Sequence, residues 1–236
     1  MLPIRDSVVR RRFPVMVWTL IAVNVAVFVY ELRLPPARLD DFIDLFGVVP
    51  ARFAHPRWAE AVGYPRSWSP LLTHMFLHGG WLHLIGNMWI LKIFGDDVED
   101  RMGPLRFLAF YLLVGGAAVG AELWFQRDSA LPMLGASGAI AGVMGAYSIM
   151  FPRAWVTVLV PIIIIPLVFD VPAVLFLGVW FLAQVFSATA SLSAHAMAGG
   201  VAWWAHAGGF VAGVLLFKLF VRPERWRRSA PGYVAR

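Results

Sequence analysis

Four polar side chains lie inside apolar runs, and their types could act together. Ser137 is the one hydroxyl in Leu134–Met144, read LGASGAIAGVM. His83 and Asn87 belong to His83-Leu84-Ile85-Gly86-Asn87, four residues apart and so on one face of a helix. His206 lies in Ala205-His206-Ala207-Gly208-Gly209. A serine hydroxyl is a poor nucleophile until a base takes its proton, and His206 is the candidate base for Ser137. The tetrahedral intermediate of acyl transfer needs donors for its oxyanion, which His83, Asn87 and the Ser137 backbone N–H could supply. Taken singly, Ser137 reads as a small packing residue, and His83 and Asn87 as interhelical hydrogen bonders. Polar groups at membrane depth are expensive, however, so each is a functional-site hypothesis.

The elements that must hold these residues are apolar helices. Of the 236 residues, 60% are hydrophobic, against about half in a soluble globular domain. The chain reads as an all-α polytopic membrane protein, with residues 1–236 forming a single membrane domain. It has no cysteine, which excludes disulfides and thiolate metal sites. Its net charge of +6 crowds toward the two ends, a pattern of membrane topology rather than of nucleic-acid binding.

Residues 1–12 form a basic amino terminus with Arg5, Arg10, Arg11 and Arg12. Phe13–Tyr30 follows as the first apolar run. Glu31-Leu32-Arg33 stands where a cleavage site would carry small residues, so the pair reads as an uncleaved signal anchor. Thr19 and Asn24 in it read as helix-packing hydrogen bonders. Leu34–Trp68 mixes Phe42, Leu45, Phe46 and Trp58 with charges and prolines, which suits short amphipathic helices at the interface; His55 there reads as solvated. The second span lies in Leu71–Phe94, with Gly79-Gly80 delaying regular helix to Trp81. Lys92–Arg106 reads as a solvated charged loop.

Leu105–Trp124 is the third span, where Gly115, Gly116 and Gly120 allow close helix approach. Glu122–Pro132 is a loop. Ser137–Met150 is the fourth span, with Gly138, Gly142 and Gly145 on a small-residue face. Val156–Phe169 is β-branched and cut by Pro161 and Pro166. As helix it would reach only about 21 Å, against a hydrocarbon core of about 30 Å, so it is expected to be an interfacial, hairpin-like segment. Val171–Phe186 is the fifth span, Ser187–Gly200 an uncharged loop in which His195 is unremarkable, and Val201–Phe220 the sixth. Residues 221–236 form a basic tail.

Six spans place both termini on one side. Fourteen of the 20 Lys and Arg residues then face the cytoplasm, as the positive-inside rule requires. Only Arg33, Arg38, Arg52, Arg57, Arg66 and Arg127 face out. His83, Ser137 and His206 all fall near the outer face and can share one level. A seventh span at Val156–Phe169 would reverse the last helix and carry His206 away from Ser137.

Gly135-Ala136-Ser137-Gly138, His83 to Asn87, and Ala205-His206-Ala207-Gly208-Gly209, each in its own apolar segment, resemble the G-x-S-G, H-x-x-x-N and A-H-x-x-G motifs of the rhomboid family of intramembrane serine proteases. The resemblance covers roughly Val15 to Phe220. It implies a six-transmembrane-helix rhomboid-like bundle with an interfacial amphipathic loop after the first span. It further implies a catalytic dyad of Ser137 and His206, with His83 and Asn87 stabilising the oxyanion. No cofactor or metal is called for. The implied substrate is a transmembrane segment of another protein, locally unwound and cut after a small residue, with Trp180-Phe181 at the position of the family's lateral gate. The expected location is the plasma (inner) membrane of a prokaryote, with both termini cytoplasmic.

Three positions depart from the family pattern. Trp68-Ser69 stands for a Trp-Arg pair, Ala141 for an aromatic that some members stack on the catalytic histidine, and Gly86 for a Phe before the oxyanion Asn. The second leaves His206 less firmly held. Two other readings compete. An inactive rhomboid-like escort would usually lack the Ser or the His, and both are present. A small transporter should show internal repeats, and none is found. A metal site at His74, His78 and His83 is disfavoured, because the five-residue step from His78 to His83 turns them to different faces and no acidic ligand lies at that depth.

Overall fold

Prolines and glycines punctuate this chain, and its elements begin and end on them. The computed structural model describes residues 2–162, 165–193 and 201–222. Strand β1 (Leu2–Asp6) precedes helix α1 (Val15–Glu31). Four short helices follow: α2 (Pro36–Phe46), α3 (Pro50–Ala54), α4 (Pro56–Ala61) and α5 (Pro70–Thr73). Each opens on a proline, whose missing N–H would have no partner there anyway. A 3₁₀ turn at His74–Phe76 leads to α6 (Trp81–Met102) and α7 (Pro104–Phe125). Gly103, at φ +84°, makes the left-handed turn between them. Then come α8 (Ser137–Met150), strands β2 (Trp155–Ile162) and β3 (Ile165–Pro172), α9 (Ala173–Ser193) and α10 (Trp203–Phe220).

Among the described residues, α7, α10 and residues Ala173–Ser191 of α9 are long and apolar enough to cross a membrane; α1 and α8 are shorter apolar helices. Helix α8 lies at the centre, buried along its length except for the half-buried Ser137 and the exposed Ile149. It packs on α10 backbone to backbone. A Cβ on Gly209 would lie 2.1 Å from the Gly138 carbonyl oxygen, and one on Gly213 would lie 1.9 Å from that of Gly142. A Cβ on Gly145 would lie 2.2 Å from the Phe210 carbonyl oxygen. The small-residue face expected on α8 thus meets a matching face on α10, the close approach that apolar surroundings reward. Below this seam Phe94, Phe107, Phe110, Tyr111 and Tyr147 fill the core.

The structure corrects the sequence reading in several places. The fold is mostly helical but not all-α, because β1, β2 and β3 form an antiparallel sheet. The hairpin expected around Pro161 and Pro166 is there, with those two residues paired; its partner β1 lies in the supposedly plain basic amino terminus. Lys92–Arg106 is not a solvated loop. Helix α6 continues to Met102, and Asp96, Asp97 and Glu99 are buried.

The reason is long-range pairing. Asp96 accepts hydrogen bonds from Arg10 and, at 2.7 Å, from Lys92. Glu99 accepts the N–H groups of Met16 and Val17 at 3.0 and 2.8 Å, capping the first turn of α1. A carboxylate at a helix N-terminus contributes about 0.5–2 kcal/mol. The Tyr147 hydroxyl donates to Asp6.

Other differences are smaller. Helix α9 runs through Ser193, so the loop expected from Ser187 is helical at its start. Thr19 and Asn24 hydrogen-bond to Val15 and Leu20 carbonyls of their own helix rather than across helices. Of the three α7 glycines only Gly115 meets a close neighbour, the Met75 sulfur; Gly116 and Gly120 face open space. His195 and the tail beyond Arg222 lie outside the described residues.

Candidate active site

Ser137 is the first residue of α8. The turn before it depends on Gly135, at φ +115°, whose N–H donates to the His74 carbonyl at 2.8 Å. His206 lies one turn inside α10, whose first N–H groups need a partner from outside the helix. Glu122 of α7 supplies it by accepting the Ala205 N–H at 3.0 Å. The two helix starts bring His206 Nε2 to 2.7 Å from Ser137 Oγ. The other ring nitrogen, Nδ1, lies 2.7 Å from Gln184 Oε1. The rings of Trp180 and Trp203 flank the imidazole, each with its centroid 6.0 Å away. A hydroxyl hydrogen-bonded to an imidazole nitrogen at a helix N-terminus can lose its proton to that nitrogen as it attacks.

His83 and Asn87 converge on the same turn. A Cβ on Gly135 would lie 2.6 Å from His83 Nε2 and 3.5 Å from Asn87 Nδ2, so only glycine leaves this space clear. Asn87 Nδ2 also donates to His78 Nε2 at 3.0 Å, and the His78 ring sits edge-on to His83 with centroids 5.1 Å apart. Helical spacing would turn His78 and His83 to different faces. It does not apply, because His78 precedes α6 in the non-helical Leu77–Gly80 stretch. The carboxylate of Glu31 faces the His78 N–H at 3.3 and 3.4 Å.

All four residues singled out in the sequence therefore lie around one turn. The residues missed are His78, Glu122 and Gln184. Gln184 did leave a signal: it is the one amide in the apolar stretch Ala173–Phe186.

Residues 65–223 match the Rhomboid domain family. The chain belongs to the rhomboid family. Among its curated relatives, RHOMBOID-like protein 4 of Arabidopsis thaliana is 29% identical over 253 residues, covering 94% of this chain and 58% of the relative. Rhomboid protein 1, mitochondrial, of Saccharomyces cerevisiae is 32% identical over 158 residues, covering 64% of this chain and 42% of the relative. RHOMBOID-like protein 6, mitochondrial, of Arabidopsis thaliana is 32% identical over 123 residues, covering 52% and 39%. The chain thus spans from 39% to 58% of the length of these rhomboids. They are plant and yeast proteins, two of them mitochondrial by name, and give no support to the prokaryotic location expected from the sequence.

The departures from the rhomboid pattern have visible counterparts. Ala141 is fully buried, and Trp180, Trp203 and Gln184 surround the His206 ring in place of a stacked aromatic. Gly86 borders open space. Trp68 is exposed and tilts against Phe53, while the Ser69 carbonyl accepts the Thr73 hydroxyl.

Proposed function

We propose that this chain is a serine endopeptidase that cleaves transmembrane segments of other membrane proteins near the outer membrane face. The observation that carries the reading is the 2.7 Å contact of His206 Nε2 with Ser137 Oγ, beside a glycine faced by His83 and Asn87. His206 takes the hydroxyl proton as Oγ bonds to the scissile carbonyl carbon. The oxyanion accepts from His83, from the second N–H of Asn87 and from the Ser137 N–H, at the end of α8 that favours negative charge. The imidazolium then protonates the leaving amine, and a water activated by His206 hydrolyses the acyl-enzyme. Such a site needs water, so the polar cluster opens to a wet cavity rather than to lipid.

The proposed arrangement is one membrane domain over residues 1–236 with six crossings, α1, α6, α7, α8, α9 and α10. Helices α2–α4 lie at the outer interface, and both termini are on the more basic, cytoplasmic side. Because the chain has no cysteine, single labels report position directly. Arg106→Cys and Arg236→Cys are expected to react from the cytoplasmic side, and Arg57→Cys and Arg127→Cys from the other. Outer-side labelling of Arg236→Cys would overturn the six-crossing arrangement.

The function is tested by reconstitution with a panel of transmembrane peptides. Wild type should cleave and should take a fluorophosphonate label; Ser137→Ala should do neither. Asn87→Ala should keep the label yet lose about 100- to 1,000-fold in turnover per folded molecule, the usual effect of one oxyanion donor. Undiminished cleavage by Ser137→Ala would refute the serine mechanism. An Asn87→Ala loss that vanishes on correction for unfolded protein would return Asn87 to a packing role.

A further inference from the structure

We propose that Gln184 is a positioning residue for this proton transfer, because its side-chain oxygen, 2.7 Å from His206 Nδ1, fixes the imidazole in the tautomer whose Nε2 lone pair faces Ser137. The inference rests on the Ser137–His206 reading and adds a third group to it.

The orientation of the amide follows from its other end. Gln184 Nε2 lies 3.4 Å from the Trp180 carbonyl, one turn earlier on α9. A carbonyl oxygen can only accept, so the NH₂ belongs there and the amide oxygen faces His206. That oxygen carries no proton, so Nδ1 must donate one. In a neutral imidazole Nε2 is then bare, and the hydrogen on the 2.7 Å line to Ser137 belongs to Oγ. Without an acceptor at Nδ1 the ring is free to carry its proton on Nε2, where it would donate to Oγ and could not act as a base.

Gln184 is 7% exposed and sits on a helix with few polar groups. Burying an amide there is unfavourable unless its hydrogen bonds are made. Trp180, on the same face of α9, contributes its ring to the same imidazole. As His206 gains the serine proton, the Nδ1–H bond becomes charge-assisted and strengthens, so the contact favours the transferred state over the resting one. Among the described residues the hydrogen bonds of the His206 ring run to Ser137 and Gln184. An amide therefore takes the orienting place that a carboxylate holds in a three-residue triad.

The test compares Gln184→Met, which keeps the length and removes the acceptor, with Gln184→Glu, which keeps an acceptor. Gln184→Met is expected to lower kcat about 10- to 100-fold, by analogy with the loss of a partner that orients a metal-bound histidine. KM and melting temperature should stay near wild type, and Gln184→Glu should recover most of the loss. Ring nitrogen-15 spectra, with His206 assigned by its absence in His206→Ala, should place the proton on Nδ1 in wild type and move part of it to Nε2 in Gln184→Met. Wild-type kcat in Gln184→Met, or an unchanged His206 spectrum, would overturn the positioning role. The spectrum decides even where Gln184→Glu folds poorly. Failure of the underlying dyad would appear separately, as cleavage surviving in Ser137→Ala.

Discussion

Replacing His206 with alanine is expected to lower turnover by on the order of 10⁶-fold, about 8 kcal/mol of transition-state stabilisation. Its Nε2 is the acceptor placed 2.7 Å from the Ser137 hydroxyl, and no second imidazole is hydrogen-bonded to that oxygen among the described residues. Removing Ser137 should have an effect of the same size. The sharper expectation concerns the double variant. If the two residues act as one unit, Ser137→Ala with His206→Ala should be no slower than either single variant, because the second change removes nothing that still works. Single-turnover cleavage of a transmembrane peptide, per folded molecule, measures all three. A double variant slowed by the product of the two single effects would mean that Ser137 and His206 act independently.

Replacing Gly213 with alanine is expected to reduce turnover about 100-fold or more although the residue lies far from the chemistry. Its Cβ would fall 1.9 Å from the Gly142 carbonyl oxygen and 2.6 Å from the carbonyl carbon. Both neighbours are backbone, so no side chain can swing aside, and α10 must move off α8 by more than about 1 Å. His206 rides on α10 and Ser137 on α8, so their hydrogen bond lengthens with that shift. A misplacement of about 1 Å can cost about 100-fold in rate. Gly209→Ala should behave alike, since its Cβ would meet the Gly138 carbonyl at 2.1 Å. Gly116→Ala and Gly120→Ala on α7 are the controls, because nothing lies within 4 Å of either added Cβ. Equal activity in Gly213→Ala and Gly120→Ala would show that the seam does not set the Ser137–His206 distance.

Local pattern and polar exceptions were legible in the sequence; long-range pairing was not. The bounds of α8 could be read because Gly135 interrupts the apolar run just before Ser137 and Pro152 follows its end. The four polar residues stood out against apolar neighbours, and the structure gathers them at one turn. The run Asp96 to Arg101 was misread because charge density alone suggests solvent. Besides Lys92, its partners Arg10, Met16 and Val17 are more than 80 residues away, and nothing local announces those three. Strand β1 escaped for the same reason: a five-residue strand becomes one only when Leu2 meets Leu159. His78 was set aside by helical arithmetic in a segment that is not helical. Gln184 was passed over because its partner lies on another helix 22 residues later.

The sheet carries a consequence for how the chain threads the bilayer. Strands β1 and β2 are hydrogen-bonded along their length, and Ser7 N–H reaches the Trp155 carbonyl at 2.9 Å, so both strands must lie on one side. The number of crossings between Asp6 and Trp155 is therefore even, a parity rule that owes nothing to where the arginines fall. Four helices longer than 13 residues lie between them: α1, α6, α7 and α8. If three of them cross, the fourth must cross as well. The rule bears hardest on α8, whose 14 residues span only about 21 Å against about 30 Å of hydrocarbon. If α8 crosses, its neighbours must shield its ends and the bilayer must thin around it, which would leave its first residue, Ser137, within reach of water.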